Sequence, residues 1–227
     1  FMKALVALSG NGVYDGSEIH ETVLTLLQLD LQGIDYQCAA PNVNQYHVIN
    51  HINGEEMDES RNILIESARI ARGAIKDLGK VSMKDFGALV IPGGFGAAKN
   101  FSTWAFDGPQ GTVLKEIETL ILEAVQLKKP ILAMCMSPVV IAKSLEGSPI
   151  SAKLTVGTHK EATPYEIEAI GSGMESLGVV VEKVTVKEVT VDSEHKIIST
   201  PCYMMEASIG DINEGITKAV AQLKSML

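Results

Sequence analysis

The sequence predicts an α/β fold in which helices cover a mostly parallel sheet, and three observations carry that expectation. The chain opens as strand, loop, helix and strand, the usual start of a parallel sheet. Its apolar runs are short and stop at Gly, Pro or Cys. Stretches with helical spacing alternate with those runs. With 46% apolar residues in 227, the chain can bury a large core, and it reads as one domain over 1–227.

Lys3 to Ser9 reads as a buried strand ended by Gly10-Asn11-Gly12. Ser17 is placed to cap a helix whose apolar positions Val23, Leu24, Leu27 and Leu31 recur at helical spacing, with Gly33 as its stop. Ile34 to Ala39 follows as a strand. Residues 41–80 read as an insertion packed on the same domain, with a turn at Asn53-Gly54 and a helix over Ser60 to Arg72. Phe86 to Ile91 is a strand stopped by Pro92-Gly93-Gly94. Val113, Ile117, Leu120, Ile121, Ala124 and Val125 line one face of a helix before Pro130. Ile131 to Met134 is a strand, Cys135 ends it, and Pro138 opens a helix through Lys143. A strand is expected at Leu154–Val156. Thr163-Pro164-Tyr165-Glu166 reads as a capping box for a helix ending near Gly178. Strands are expected at Val179–Val181, Val184–Val191 and Lys196–Thr200, and a last helix from Ala207.

Composition narrows the function classes. Net charge is -9 with no basic stripe, so nucleic acid is not an expected partner. No apolar run reaches the roughly 18 residues of a membrane span, and no membrane association is expected. Phe1 ahead of Met2 reads as an added residue, and the start lacks the apolar stretch of a secretory signal, which points to a cytoplasmic protein. Cys38, Cys135 and Cys202 are far apart in sequence and odd in number, arguing against a disulfide framework and for a reducing compartment. The five histidines show no metal-ligand spacing, so no metal is expected. Asp15 occupies the third glycine position of a dinucleotide fingerprint that would start at Gly10, and no nucleotide cofactor is expected.

The strongest chemical signal is Cys135 at a strand-to-helix junction. Such a turn lifts a side chain off the carboxyl edge of the sheet, and the amides of the following helix favour its thiolate. An ordinary buried cysteine is the competing reading. Gly93-Gly94 ends another strand, where glycine leaves backbone N–H groups free to face an oxyanion. Glu18 and Glu21 start the first helix. If the strands are neighbours, one of the two lies near Cys135 and can move a proton; otherwise they are ordinary helix-start acids. His159 follows a predicted strand and is a candidate for the substrate pocket, against the favoured reading of a partly exposed polar residue in a loop.

Taken together, Val90-Ile91-Pro92-Gly93-Gly94, Ala133-Met134-Cys135 before a helix, and the Glu-containing first helix resemble the PfpI-type, class-I-glutamine-amidotransferase-like superfamily. Gly12 to Glu21, Val48-Ile49-Asn50-His51, Pro92 to Asn100 and Thr200-Pro201-Cys202-Tyr203-Met204 resemble its ElbB and ES-one subgroup, whose name is tied to lycopene and isoprenoid biosynthesis. The resemblance implies a flavodoxin-like three-layer sandwich, a homo-oligomer (a dimer), and Cys135 as nucleophile. It implies Glu21 as the acid, with Glu18 its rival, and Gly93, Gly94 and Met136 as oxyanion-binding backbone groups. It also implies a glutathione-independent glyoxalase needing no cofactor, with a small 2-oxoaldehyde as substrate. Cys135 would form a hemithioacetal and the glutamate would shuttle a proton.

Two departures shape the expectation. Met136 stands where peptidase-like members have histidine, and Ser199 to Asp211 contains no histidine for an amidotransferase triad. Proteolysis and glutamine hydrolysis are therefore not expected. The alternative to the enzyme is a redox-sensing or chaperone-like protein that uses oxidation of Cys135.

Overall fold

In a computed structural model describing residues 3–227, with Phe1 and Met2 outside the described residues, the core is a seven-stranded sheet. Its strands are β1 (Ala4–Ala7), β2 (Tyr36–Ala40), β3 (Ile75–Asp77), β4 (Ala88–Ile91), β5 (Ile131–Met134), β8 (Thr190–Asp192) and β9 (Ile197–Thr200). They lie in the order β3-β2-β1-β4-β5-β9-β8, and only the β8–β9 pair is antiparallel. β6 (Lys153–Leu154) and β7 (Val180–Val181) make a separate parallel pair. Every residue of β1, β4, β5 and β9 is buried, because helices cover both faces of the sheet. The long helices are α1 (Ile19–Leu31), α2 (Ile63–Ile70), α5 (Lys115–Gln126), α7 (Ile167–Glu175) and α8 (Ile209–Met226). Shorter ones are α3 (Gly96–Lys99), α4 (Trp104–Asp107) and α6 (Pro138–Ser144). This is the α/β sandwich the sequence predicts.

Strand order reverses between β1 and β4, since the chain moves outward to β2 and β3 before returning to β4. Crevices form at such a switch point, beyond the carboxyl ends of the strands. The loops after β1, β4, β5 and β9 all arrive there. Residues 41–80 supply α2 and the edge strand β3, so the segment read as an insertion also adds a strand to the sheet.

Four local expectations are corrected. α1 is turned around: Ile19, Val23, Leu27 and Leu31 are 43%, 48%, 45% and 68% exposed, while Glu21, Thr22, Thr25, Gln28 and Leu29 face inward. The inner face is polar because it makes bonds there, with Gln28 Nε2 donating to Asn213 Oδ1 (3.0 Å) and Gln32 Nε2 to the Thr217 carbonyl (3.1 Å) on α8. The cap of α1 is Glu18, whose carboxylate accepts the Glu21 N–H at 2.6 Å. Ser17 instead accepts the Ser9 N–H at 2.8 Å.

The capping box at Thr163 does not form, since α7 begins at Ile167 and the Thr163 hydroxyl accepts the Tyr165 N–H (3.1 Å) and donates to the Met204 carbonyl (2.6 Å). The expected strand at Val184–Val191 is mostly loop. The N–H groups of Thr185 and Val186 go to the carboxylates of Glu188 (2.8 Å) and Glu161 (3.2 Å), leaving only Thr190–Asp192 to pair with β9.

Candidate active site

Cys135 follows β5 directly, in the left-handed region at φ +55°. An L residue resists that conformation, so the surrounding structure must hold it there. The Cys135 N–H donates to the Thr200 carbonyl at 3.0 Å, and Ser137 Oγ donates to the Pro92 carbonyl at 2.5 Å, tying the elbow to β9 and to the loop after β4. Cys202, beyond the end of β9, is the other buried non-glycine residue at positive φ, +48°. Two strained cysteines thus flank one sheet edge.

Glu21 is fully buried beside Cys135. Its Oε2 accepts the Gly93 N–H at 3.1 Å and its Oε1 accepts the Tyr203 N–H at 3.0 Å, and it shares a hydrogen bond with the Cys135 thiol. Glycine is required at 93, because a Cβ there would stand 2.9 Å from Cys135 Sγ and collide with Glu21 Oε2 and Cys135 Cβ. Of the two acids Glu21 lies beside the thiol, whereas Glu18 caps α1 and closes its backbone onto the Gly93 carbonyl (Glu18 N–H donating, 2.9 Å).

Electrostatics follow from that burial. Glu21 is pushed up to about 8, first by desolvation and then by the Glu18 charge, against bonds from Tyr203, Cys135 and Gly93. Burial and then the Glu21 carboxylate push the Cys135 thiol up, against the nearby amides of Gly94 and Met136, which pull it down. The expectation of a thiolate ionised by helix amides is corrected here. Cys135 is only 5% exposed, and two amides do not offset desolvation plus a carboxylate beside it. Thiol and carboxyl behave as one coupled acid.

The other site expectations sort clearly. The amides of Gly94 and Met136 lie beside the sulfur and lower its thiol. Gly93 directs its N–H at Glu21 and has none left for an oxyanion. His159 is over half exposed and pairs with Glu168 at 2.6 Å, turned to α7 and solvent. Three groups were missed by sequence reasoning. Tyr203 holds Glu21 through its backbone and His20 through its phenol, at 2.9 Å from Nδ1. Burial, with the charges of Cys135 and Glu21, pushes Tyr165 up to about 12. Cys202 is raised by burial and by Glu21 and Cys135. The Thr200-to-Met204 motif was the one signal that could have found Tyr203 and Cys202. Cys38, inside β2, is pushed up to about 11 by burial alone, in keeping with a structural role.

Among the described residues no three metal-capable side chains cluster, and no helix is long and apolar enough to cross a membrane. A cavity of about 760 Å³ opens at the opposite, amino edge of the sheet, beside Gly87, Pro130 and Lys196. It is remote from Cys135 by the topology of the strands.

Over 226 residues the chain is 42% identical to the human mitochondrial glutamine amidotransferase-like class 1 domain-containing protein 3, covering 97% of this chain and 82% of that protein. The rat mitochondrial ES1 protein homolog is 41% identical with the same coverage. The chain belongs to the ES1 family of class-I glutamine amidotransferase-like proteins. A solved structure from Ehrlichia chaffeensis, described as an isoprenoid biosynthesis protein with an amidotransferase-like domain, superimposes with a TM-score of 0.88 at 36% identity over the whole of both chains. Drosophila melanogaster DJ-1beta shares the fold, with a TM-score of 0.55 at 18% identity, covering 100% of this chain and 96% of that one. No family model matches the chain.

The expected cytoplasmic location is overturned, because the human, rat and zebrafish ES1-family relatives are mitochondrial proteins. That expectation rested on a missing apolar leader, which bears on secretion and not on organelles.

Proposed function

We propose that this ES1-family chain is a cofactor-independent glyoxalase, converting 2-oxoaldehydes such as glyoxal and methylglyoxal to 2-hydroxy acids. The observation that supports it is the contact of a buried carboxyl, Glu21, with a strained thiol, Cys135. With one proton removed from the pair, sulfur adds to the aldehyde carbon while the remaining proton moves to the new hydroxyl, giving a hemithioacetal. Glu21 then takes the proton from that carbon, and the resulting enediol is reprotonated at the neighbouring carbon. The first carbon is oxidised to a thioester as the second is reduced to an alcohol, so no external oxidant enters. Water hydrolyses the thioester and returns the thiol and the hydroxy acid. The amides of Gly94 and Met136, which face the sulfur, are placed to steady oxygen charge in the adduct.

Burial argues against the redox-sensing alternative, since peroxides attack exposed thiolates and Cys135 is 5% exposed with its thiol raised. The test is to quantify glycolate and lactate from glyoxal and methylglyoxal, with Cys135→Ser and Glu21→Gln beside the wild type. Both variants are expected to lose at least about a hundredfold in rate. Product formation by Cys135→Ser at the wild-type rate would overturn the proposal.

A further inference from the structure

Glu18 sits 8% exposed at the start of α1, its carboxylate 2.6 Å from the Glu21 N–H and its own N–H on Gly93. Neither Glu18 nor Glu21 forms an ion pair with a lysine or arginine among the described residues. The cation-capable side chain acting on Glu18 is His20, and its ring is held by Tyr203 at 2.9 Å. Lys99 is tied outside the site, with Nζ donating to the Tyr14 carbonyl at 2.9 Å and standing 5.7 Å above the Phe95 ring. It feels Asp15 and Glu56, not the acids of the site.

Around these acids stand aromatic pairs. Tyr165 packs edge-on to Phe95 with centroids 5.7 Å apart, and Tyr203 tilts against His20 at 5.9 Å. Both tyrosines lie within the field of Glu18 and Glu21. A negative site bordered by aromatic faces attracts cations and repels anions.

We infer that Glu18 is a specificity-determining residue whose carboxylate makes the Cys135 site accept uncharged or cationic carbonyl compounds and reject anionic ones. The inference rests on Cys135 being the reacting group of the function proposed above. It also gives product release a direction: a neutral aldehyde enters, and the hydroxy acid formed faces the Glu18 carboxylate, which expels it. The same field excludes 2-oxoacids, which carry the carboxylate the product has just acquired.

Charge selectivity can be read without turnover. Cys135 is modified with three methanethiosulfonates bearing a trimethylammonium, a methyl or a sulfonate group, each rate being divided by that reagent's rate with mercaptoethanol. Mass spectrometry of the Cys135 peptide follows the reaction. The expected order is cation, neutral, anion, spanning at least about tenfold and narrowing with added salt. Glu18→Gln, which keeps an acceptor for the Glu21 N–H, should compress the span, and Glu18→Asp should restore it. An anionic reagent as fast as the cationic one, or an unchanged span in Glu18→Gln, overturns the inference. If Glu18→Gln does not fold, the salt response of the wild type decides. A protein that shows the charge order yet forms no hydroxy acid supports this inference and overturns the glyoxalase reading.

Discussion

Glu21→Gln should make the protein inactive and, toward pH 8, more stable. Burial raises the Glu21 carboxyl from 4.5 to about 8. A group whose folded value is raised favours the fold below its unfolded value, and that contribution is lost as pH climbs through the folded value. Linkage puts the resulting cost at roughly 1 kcal/mol at pH 5, about 3 kcal/mol at pH 7 and about 4 kcal/mol at pH 8. Glutamine removes the ionisation but turns an NH2 group toward one of the two amides, Gly93 or Tyr203, a constant penalty of about 1–3 kcal/mol. The constant part shifts the whole curve, whereas the pH-dependent part changes its shape. Urea unfolding of both proteins from pH 5 to pH 8 separates them. The variant should gain on the wild type by roughly 3 kcal/mol across that range. Parallel stability curves would refute the reasoning, because they would mean that Glu21 ionises as easily in the fold as in the unfolded chain.

Further outcomes follow from the same geometry. Turnover and Cys135 alkylation should rise with pH through about 8, as the first proton leaves the pair; stopped assays across that range check it. Gly93→Ala should abolish activity and lower stability by roughly 1–3 kcal/mol in chemical denaturation, since its Cβ collides with both partners. Asp192 is raised by burial but lowered overall by the amides of His195 and Lys153 and by the His195 ring. Asp192→Asn should therefore cost about 1–3 kcal/mol near neutral pH, and the difference from wild type should vanish as pH falls through the folded value, read by thermal unfolding. Lys129→Met should destabilise by about 1–3 kcal/mol in urea, because Lys129 Nζ satisfies the Met83 and Phe86 carbonyls.

The central strands were legible in the sequence because their burial on both faces demands uninterrupted apolar runs, as in Ala88–Ile91 and Ile131–Met134. Cys135 was legible because a strand, one residue and a proline-led helix leave little conformational choice. α1 misled for a physical reason. Its apolar stripe is real but faces outward, because the site claims the inner face for Glu21 and the contact with α8 claims it for Gln28. Periodicity detects a stripe and does not say which side is inside. The state of the thiol was equally hidden, since local pattern shows the amides of Gly94 and Met136 but not the carboxylate arriving from more than a hundred residues earlier in the chain. Tyr203 escaped notice because its backbone N–H, and not its side chain, holds Glu21.

The account depends on a carboxyl that keeps its proton at neutral pH because it is buried away from water and close to the Glu18 charge. A carbon-13 NMR titration of the Glu21 side-chain carboxyl tests this directly. The predicted midpoint is about 8, moving higher in Cys135→Ala as the thiol hydrogen bond is lost. A midpoint near the ordinary 4.5, unmoved by that substitution, would contradict it.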